Sequence, residues 1–227
     1  MATIYAHTND GYVARFSQSS WSNARANSSG TVASSVANTS TVGMSAYVQA
    51  GRGGASVFHL VRSFMYFDTS GISSNVDSAT LKIRGVTYGT GDVIAVKATS
   101  DIAAILGTAD FEAITGWDSS GTDGSGGGDM ESSVTKYSNE ITTWSTSGYN
   151  DITLNAQALA DMRDDSTVYI ALLNFDYDLK DVEPTDMSGR NGLYYINYTG
   201  TSRDPYVDYT LATVTTTDNA IFFGTNF

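Results

Sequence analysis

Short runs rich in Val, Ile, Thr, Tyr and Phe recur along the chain, separated by clusters of Gly, Ser, Asn and Asp. Residues 78–85 alternate cleanly. Ala79, Leu81 and Ile83 face one way and Thr80, Lys82 and Arg84 the other, which is the period of a strand with one buried face. Residues 55–67 are apolar at both parities, so this run is expected to lie centrally and be covered on both sides. Residues 93–97, 151–154, 167–175, 193–198 and 206–211 complete the predicted strands, with Val207, Tyr209 and Leu211 sharing a face of the last. Ser100 is placed to cap a short helix over 100–106, residues 108–114 read as a second helical turn, and Asn155 caps a helix through Met162. Gly51-Arg-Gly-Gly54 fits a hairpin turn. It is no phosphate cradle, because no helix follows to supply N-terminal amides. Residues 118–129 are loop by composition, and Pro184 and Pro205 fall in loops or at a strand start, where no ladder N–H is lost.

Strands separated by turn signals, with only short helices between them, predict an all-β fold. The expected architecture is one antiparallel jelly-roll-like β-sandwich with a few short helices. It spans residues 1–227 as a single domain, with a core of about 10–211 and a C-terminal extension at 212–227. Composition agrees. Acids are 20 Asp against 4 Glu, and Asp suits turns because its short carboxylate bonds nearby backbone. Charged residues are 16% of the chain, below the roughly 25% of average soluble domains.

The net charge of −12 repels nucleic acid and anionic membranes, so neither is an expected partner. The chain has no Cys, which excludes disulfides and thiolate metal sites. No basic segment followed by an apolar stretch opens the chain, so no signal peptide is predicted, and no run approaches the roughly 18 apolar residues of a membrane helix.

Candidate chemistry is sparse. His7 and His59 are the two histidines, and His59 sits inside an apolar strand, where a satisfied neutral ring is the expectation. No nucleophile elbow, zinc-protease helix, Walker loop or dinucleotide fingerprint occurs. A glycosidase needs only two carboxylates, but Glu112, Glu131, Glu140 and Glu183 lie in predicted loops or short helices. The chain is therefore expected not to be an enzyme.

Residues 176–186 form an acidic loop after a buried strand, and Ca²⁺ takes six to eight oxygens from such loops. Asp176, Asp178, Asp181 and Glu183 are the candidate ligands for a possible Ca²⁺. The alternative is a solvated acidic turn, since the spacing is not that of an EF-hand. For a sugar, stacking needs an exposed aromatic platform. Trp117, Trp144 and Trp21 are the candidates, with anchoring of a loop onto the core as the alternative for each. Tyr194, Tyr195 and Tyr198 read as packing residues. Ile221, Phe222, Phe223 and Phe227 make the end of the chain too apolar to stay in water. Either an intersubunit arm or a last strand of the same sandwich would account for it.

The order of several segments resembles a known family. These are Asp10-Gly-Tyr-Val13, Arg62-Ser-Phe-Met-Tyr-Phe-Asp68, Asp77-Ser-Ala-Thr-Leu-Lys-Ile83, Tyr149-Asn-Asp-Ile-Thr-Leu-Asn155, Asp178 to Thr185, and Thr201-Ser-Arg-Asp-Pro-Tyr-Val207. Together they are similar to DNRLRE-type jelly-roll modules, relatives of carbohydrate-binding modules, in a variant found among uncharacterised tailed-phage proteins. The string that names the family is not spelled in this chain. The resemblance implies two uses without catalytic residues. The first is a virion structural protein, such as a head-decoration or tail-associated protein, that binds other virion proteins or itself as a homo-oligomer. The second is an extracellular module that binds a glycan.

Overall fold

The computed structural model describes residues 1–35, 39–103, 105–119 and 130–213. Among them are eleven strands: β1 (Ala2–Tyr5), β2 (Gly11–Gln18), β3 (Val32–Ser34), β4 (Thr39–Ala50), β5 (Ser56–Asp68), β6 (Val76–Gly89), β7 (Val93–Lys97), β8 (Tyr149–Thr153), β9 (Thr167–Asn174), β10 (Arg190–Tyr194) and β11 (Tyr206–Leu211). Two α-helices join them, α1 (Trp21–Arg25) and α2 (Ala156–Asp164). Every strand pairing is antiparallel. The fold is an antiparallel β-sandwich with few short helices, as the alternation and turn signals predict.

An outer sheet runs β1–β11–β6–β8. A larger inner sheet is built on β5, which pairs with β2, β4 and β9, and extends through β3, β7 and β10. Strand β6 belongs to both. It pairs with β11 and β8 up to Arg84, and then with β10 from Gly85 to Gly89.

The inner sheet is buried on both faces, which explains the doubly apolar β5. Its Met65 and Phe67 pack toward the outer sheet with Leu81, Ile83, Ile152, Leu193 and Val207, closed at one side by Ala158 and Met162 of α2. Its Phe58, Leu60 and Phe64 face the other way, into a second cluster with Trp21, Phe111, Trp117, Met130 and Leu179. That second face is covered by α1, by two 3₁₀ turns (Ser100–Ala103 and Thr108–Glu112), by residues 130–134 and by a single π turn, Phe175–Leu179. In the outer sheet β6 buries one parity only, with Ala79, Leu81 and Ile83 inside and Thr80, Lys82 and Arg84 partly exposed. This is the pattern expected of a strand with one wet face.

Local chemistry places the connections. Asn155 accepts from the amides of Gln157 and Ala158, both at 3.1 Å, and so starts α2 by satisfying two otherwise orphaned donors. The β4–β5 hairpin turns at Gly51–Ala55, where Gly53 and Gly54 take φ of +88° and +83°, a region open to glycine at little cost. Two expectations change. The helix predicted over 100–106 is a 3₁₀ turn ending at Ala103. The strand predicted over 193–198 begins earlier and stops at Tyr194, after which the Tyr198 amide bonds back to the Tyr195 carbonyl.

Candidate functional site

The second core cluster is built around charge. Arg62 of β5 is fully buried, and its Nε and Nη2 donate to Asp178 Oδ2 and Oδ1 at 2.8 and 2.7 Å. Its Nη1 donates to the Phe111 carbonyl at 2.7 Å, and its guanidinium lies 4.2 and 4.3 Å from the ring centres of Phe111 and Trp117. Arg25, from the last turn of α1, donates through Nε to the Asp178 carbonyl at 2.7 Å and pairs with Asp181 at 3.3 Å. Bidentate pairing satisfies the fork of Arg62 and both oxygens of Asp178 in a setting where an unmatched charge is costly.

This arrangement decides the acidic loop. Asp176, Asp178, Asp181 and Glu183 do not converge on one point. Asp178 is committed to two arginines. Asp181 accepts from the Trp21 indole at 3.0 Å. Asp176 pairs with Lys180, and Glu183 is exposed. Of the two readings of this loop, a possible Ca²⁺ site or a solvated acidic turn, neither describes Asp178, which forms a buried clamp that ties the π turn to β5 and α1. Asp176 does approach Asp92 and Glu140, with carboxylate oxygens within 4.8 Å of one another. Desolvation, followed by the hydrogen bond and charge of Asp92, raises the Glu140 carboxyl.

The three tryptophans are also placed differently from a stacking platform. Trp21, Trp117 and Trp144 are only 5, 8 and 7% exposed, so none presents an open ring face. Trp21 and Trp117 line the charged core, and the Trp144 indole donates to the Gly192 carbonyl at 3.0 Å. Trp117 and Trp144 anchor loops onto the core, which was the alternative for each, and Trp21 anchors the start of α1 there. Ile221, Phe222, Phe223 and Phe227 lie outside the described residues. Tyr195 is fully buried, whereas Tyr194 and Tyr198 form an edge-on pair at 4.7 Å.

His59 is a strand residue, as expected, but its ring is not fully satisfied: Nδ1 accepts from the Ser17 amide at 3.4 Å, while the buried Nε2 has no hydrogen-bond partner among the described residues. It stacks on Tyr47 at 4.6 Å, and burial lowers its pKa. His7 stacks on Tyr66 and bonds its hydroxyl.

The aromatic surface lies instead on the outer face of the β1–β11–β6–β8 sheet. Tyr5 and Tyr206 are directly opposite in the β1–β11 register, with ring centres 5.7 Å apart, and Tyr149 meets Tyr206 edge-on at 5.2 Å. Tyr5 is 50% exposed. Lys82, opposite both Tyr206 and Asp151, pairs with Asp151 at 2.5 Å. Desolvation and the neighbouring Tyr206 push the Tyr149 phenol up to about 12, so it stays a neutral donor, and its hydroxyl donates a hydrogen bond to the Asp204 carbonyl at 3.2 Å. A shallow cleft of ≈ 530 Å³ opens beside Tyr149, lined by Thr143, Trp144, Ser145, Asn150 and Asp151. Of these tyrosines only Tyr206 falls in a strand expected from the sequence, 206–211. The available signal was Tyr206 sharing a parity with Asp208 and Thr210, opposite to Val207.

No protein-family model matches the chain, and no curated protein is significantly similar to it. The family likeness therefore rests on the quoted segments alone.

Proposed function

We propose that this chain is a non-catalytic binding and assembly protein, a structural component of a tailed-phage virion that docks through the outer face of its β1–β11–β6–β8 sheet. The observation that carries the reading is the tyrosine row Tyr5–Tyr206–Tyr149 beside β1, the last strand of the described sheet. Tyrosine supplies large contact area with little rotamer entropy to lose. An end strand adds unpaired backbone groups that a neighbour can bond. The charges of the Arg62–Asp178 cluster are matched internally, so they offer little to an external ligand.

A second reading is favoured by the polar cleft next to Tyr149. A ring face beside hydroxyl, amide and carboxylate groups suits a sugar, so the same face is proposed as a glycan site in that case. One pair of measurements separates the two. Light-scattering mass against concentration is compared for the native chain and a Tyr5→Ser/Tyr206→Ser double variant, and both are passed over immobilised polysaccharides. Assembly predicts mass growth that the double variant loses, with a melting temperature within a few degrees of the native chain. Glycan recognition predicts retention on a polysaccharide, lost also in Asp151→Ala. A native chain that stays monomeric and is retained by no glycan would sink both.

A further inference from the structure

The loop joining β1 to β2 and the loop joining β10 to β11 are stapled together at one end of the sandwich. The Ala6 amide donates to the Pro205 carbonyl at 3.0 Å, and Asn197 Nδ2 donates to the Thr8 carbonyl at 2.7 Å. The Ile196 amide donates to Asp10 Oδ2 at 3.0 Å. The junction therefore contains two carboxylates, Asp10 at 0% and Asp204 at 5% exposure. The Oδ1 atom of each is buried and has no hydrogen-bond partner among the described residues. Among the described residues neither takes part in an ion pair. The adjacent Arg203 lies over the rings of Tyr194 and Tyr198 instead.

Buried carboxylates are normally paired, hydrogen-bonded or metal-bound, because desolvation otherwise disfavours the charge. Burial raises both carboxyls, and the charge of Asp204 adds to the shift of Asp10. A proton on one carboxyl neutralises that group and leaves the buried oxygen of the other unmatched. The two carboxylates are near enough for the charge of Asp204 to act on Asp10, and a group that accepts electron pairs from oxygen would match the free atom of each.

We propose that Asp10 Oδ1 and Asp204 Oδ1 bind one divalent cation of the calcium class between the two loops. Hard oxygen donors on irregular backbone are the donor set such a cation takes, and loop carbonyls and water would complete its shell. The site lies apart from the acidic loop around Asp178, whose carboxylates are held by arginines. It is also distinct from the surface group Asp92, Glu140 and Asp176, where Lys180 already neutralises one member.

The test uses the full chain stripped with chelator and titrated with Tb³⁺, excited through tyrosine. Tyr195 is buried beside Tyr12, with ring centres 6.4 Å apart, and the Asp10 charge acts on it, so it can sensitise an ion held there. We expect luminescence that saturates at one ion per chain, displacement by Ca²⁺, and a melting temperature raised by Ca²⁺. Asp204→Asn should lose at least tenfold in affinity together with the calcium-induced rise. Without metal it should be at least as stable as the native chain, because it removes an unmatched buried charge. Asp176→Asn should keep the native response. Absence of saturable luminescence, a response lost in Asp176→Asn but kept in Asp204→Asn, or a metal-free Asp204→Asn less stable than the native chain would each overturn the site.

Discussion

Asp178→Ala tests whether the clamp between the π turn and β5 holds the irregular face of the sandwich. The substitution removes both oxygens that receive Arg62 and leaves that guanidinium buried with only the Phe111 carbonyl and two ring faces. Arg25 keeps its bonds to the backbone carbonyl of residue 178 and to Asp181, so the loss falls mainly on Arg62. Removing one partner of a buried pair costs about 3–5 kcal/mol. For a chain of this size, each 1 kcal/mol moves the melting temperature by roughly 2–4 °C, so a fall of about 6–20 °C is expected. The double variant Arg62→Met/Asp178→Leu removes the unmatched charge as well, and should recover about half of the loss or more. Urea denaturation of the native chain, Arg62→Met, Asp178→Leu and the double variant gives the coupling energy directly. A cost below about 1 kcal/mol for Asp178→Ala, or purely additive single effects, would refute the reading that this pair is buried and mutually dependent.

Trp144→Ala removes a buried ring and strands the Gly192 carbonyl, so urea denaturation should show a loss of about 3–5 kcal/mol with little refolding of the cleft above it. Gly85→Ala should also destabilise, by about 1–3 kcal/mol or more, because its Cβ would lie 1.9 Å from the Ser145 carbonyl oxygen and 2.8 Å from the Trp144 indole nitrogen. The reading is refuted if thermal melts of that variant match the native chain. In chelator, stability should fall as pH rises from about 4 to about 8. Asp10 is pushed up to about 8 by burial amid Ile196, Asp204, Tyr195, Tyr12 and Tyr66, against an ordinary value near ~3.9 when unfolded. Its folded value lies above the unfolded one, so the protonated form favours folding and that stability is lost toward pH 8. Saturating Ca²⁺ should flatten the fall, and urea midpoints across the range measure both curves.

Much of the fold is legible in single residues and their parity. The alternation in 78–85 places Leu81 and Ile83 inside, and the two-sided apolarity of 55–67 marks the central strand, because burial acts on each side chain in turn and leaves a period of two. The Asn155 cap is readable because it satisfies donors only two and three residues away. Strand β4 escapes such reading. Its buried Gly43, Ser45 and Ala46 are small and partly polar, and what buries them is the close approach of β10, where a Cβ on Gly43 would meet the Leu193 side chain at 1.9 Å.

The site residues divide the same way. That residues 176–186 are acidic and that Trp21, Trp117 and Trp144 stand in polar surroundings is evident from the chain alone. Whether those acids would meet a metal or an arginine depended on Arg62, 116 positions away from Asp178. The tyrosine row likewise joins positions 5, 149 and 206, and the unmatched carboxylates join positions 10 and 204. Local sequence determines which side chains must leave water. Only the pairing of distant strands decides what each one meets there, because contact and charge compensation act across space and leave no period along the chain.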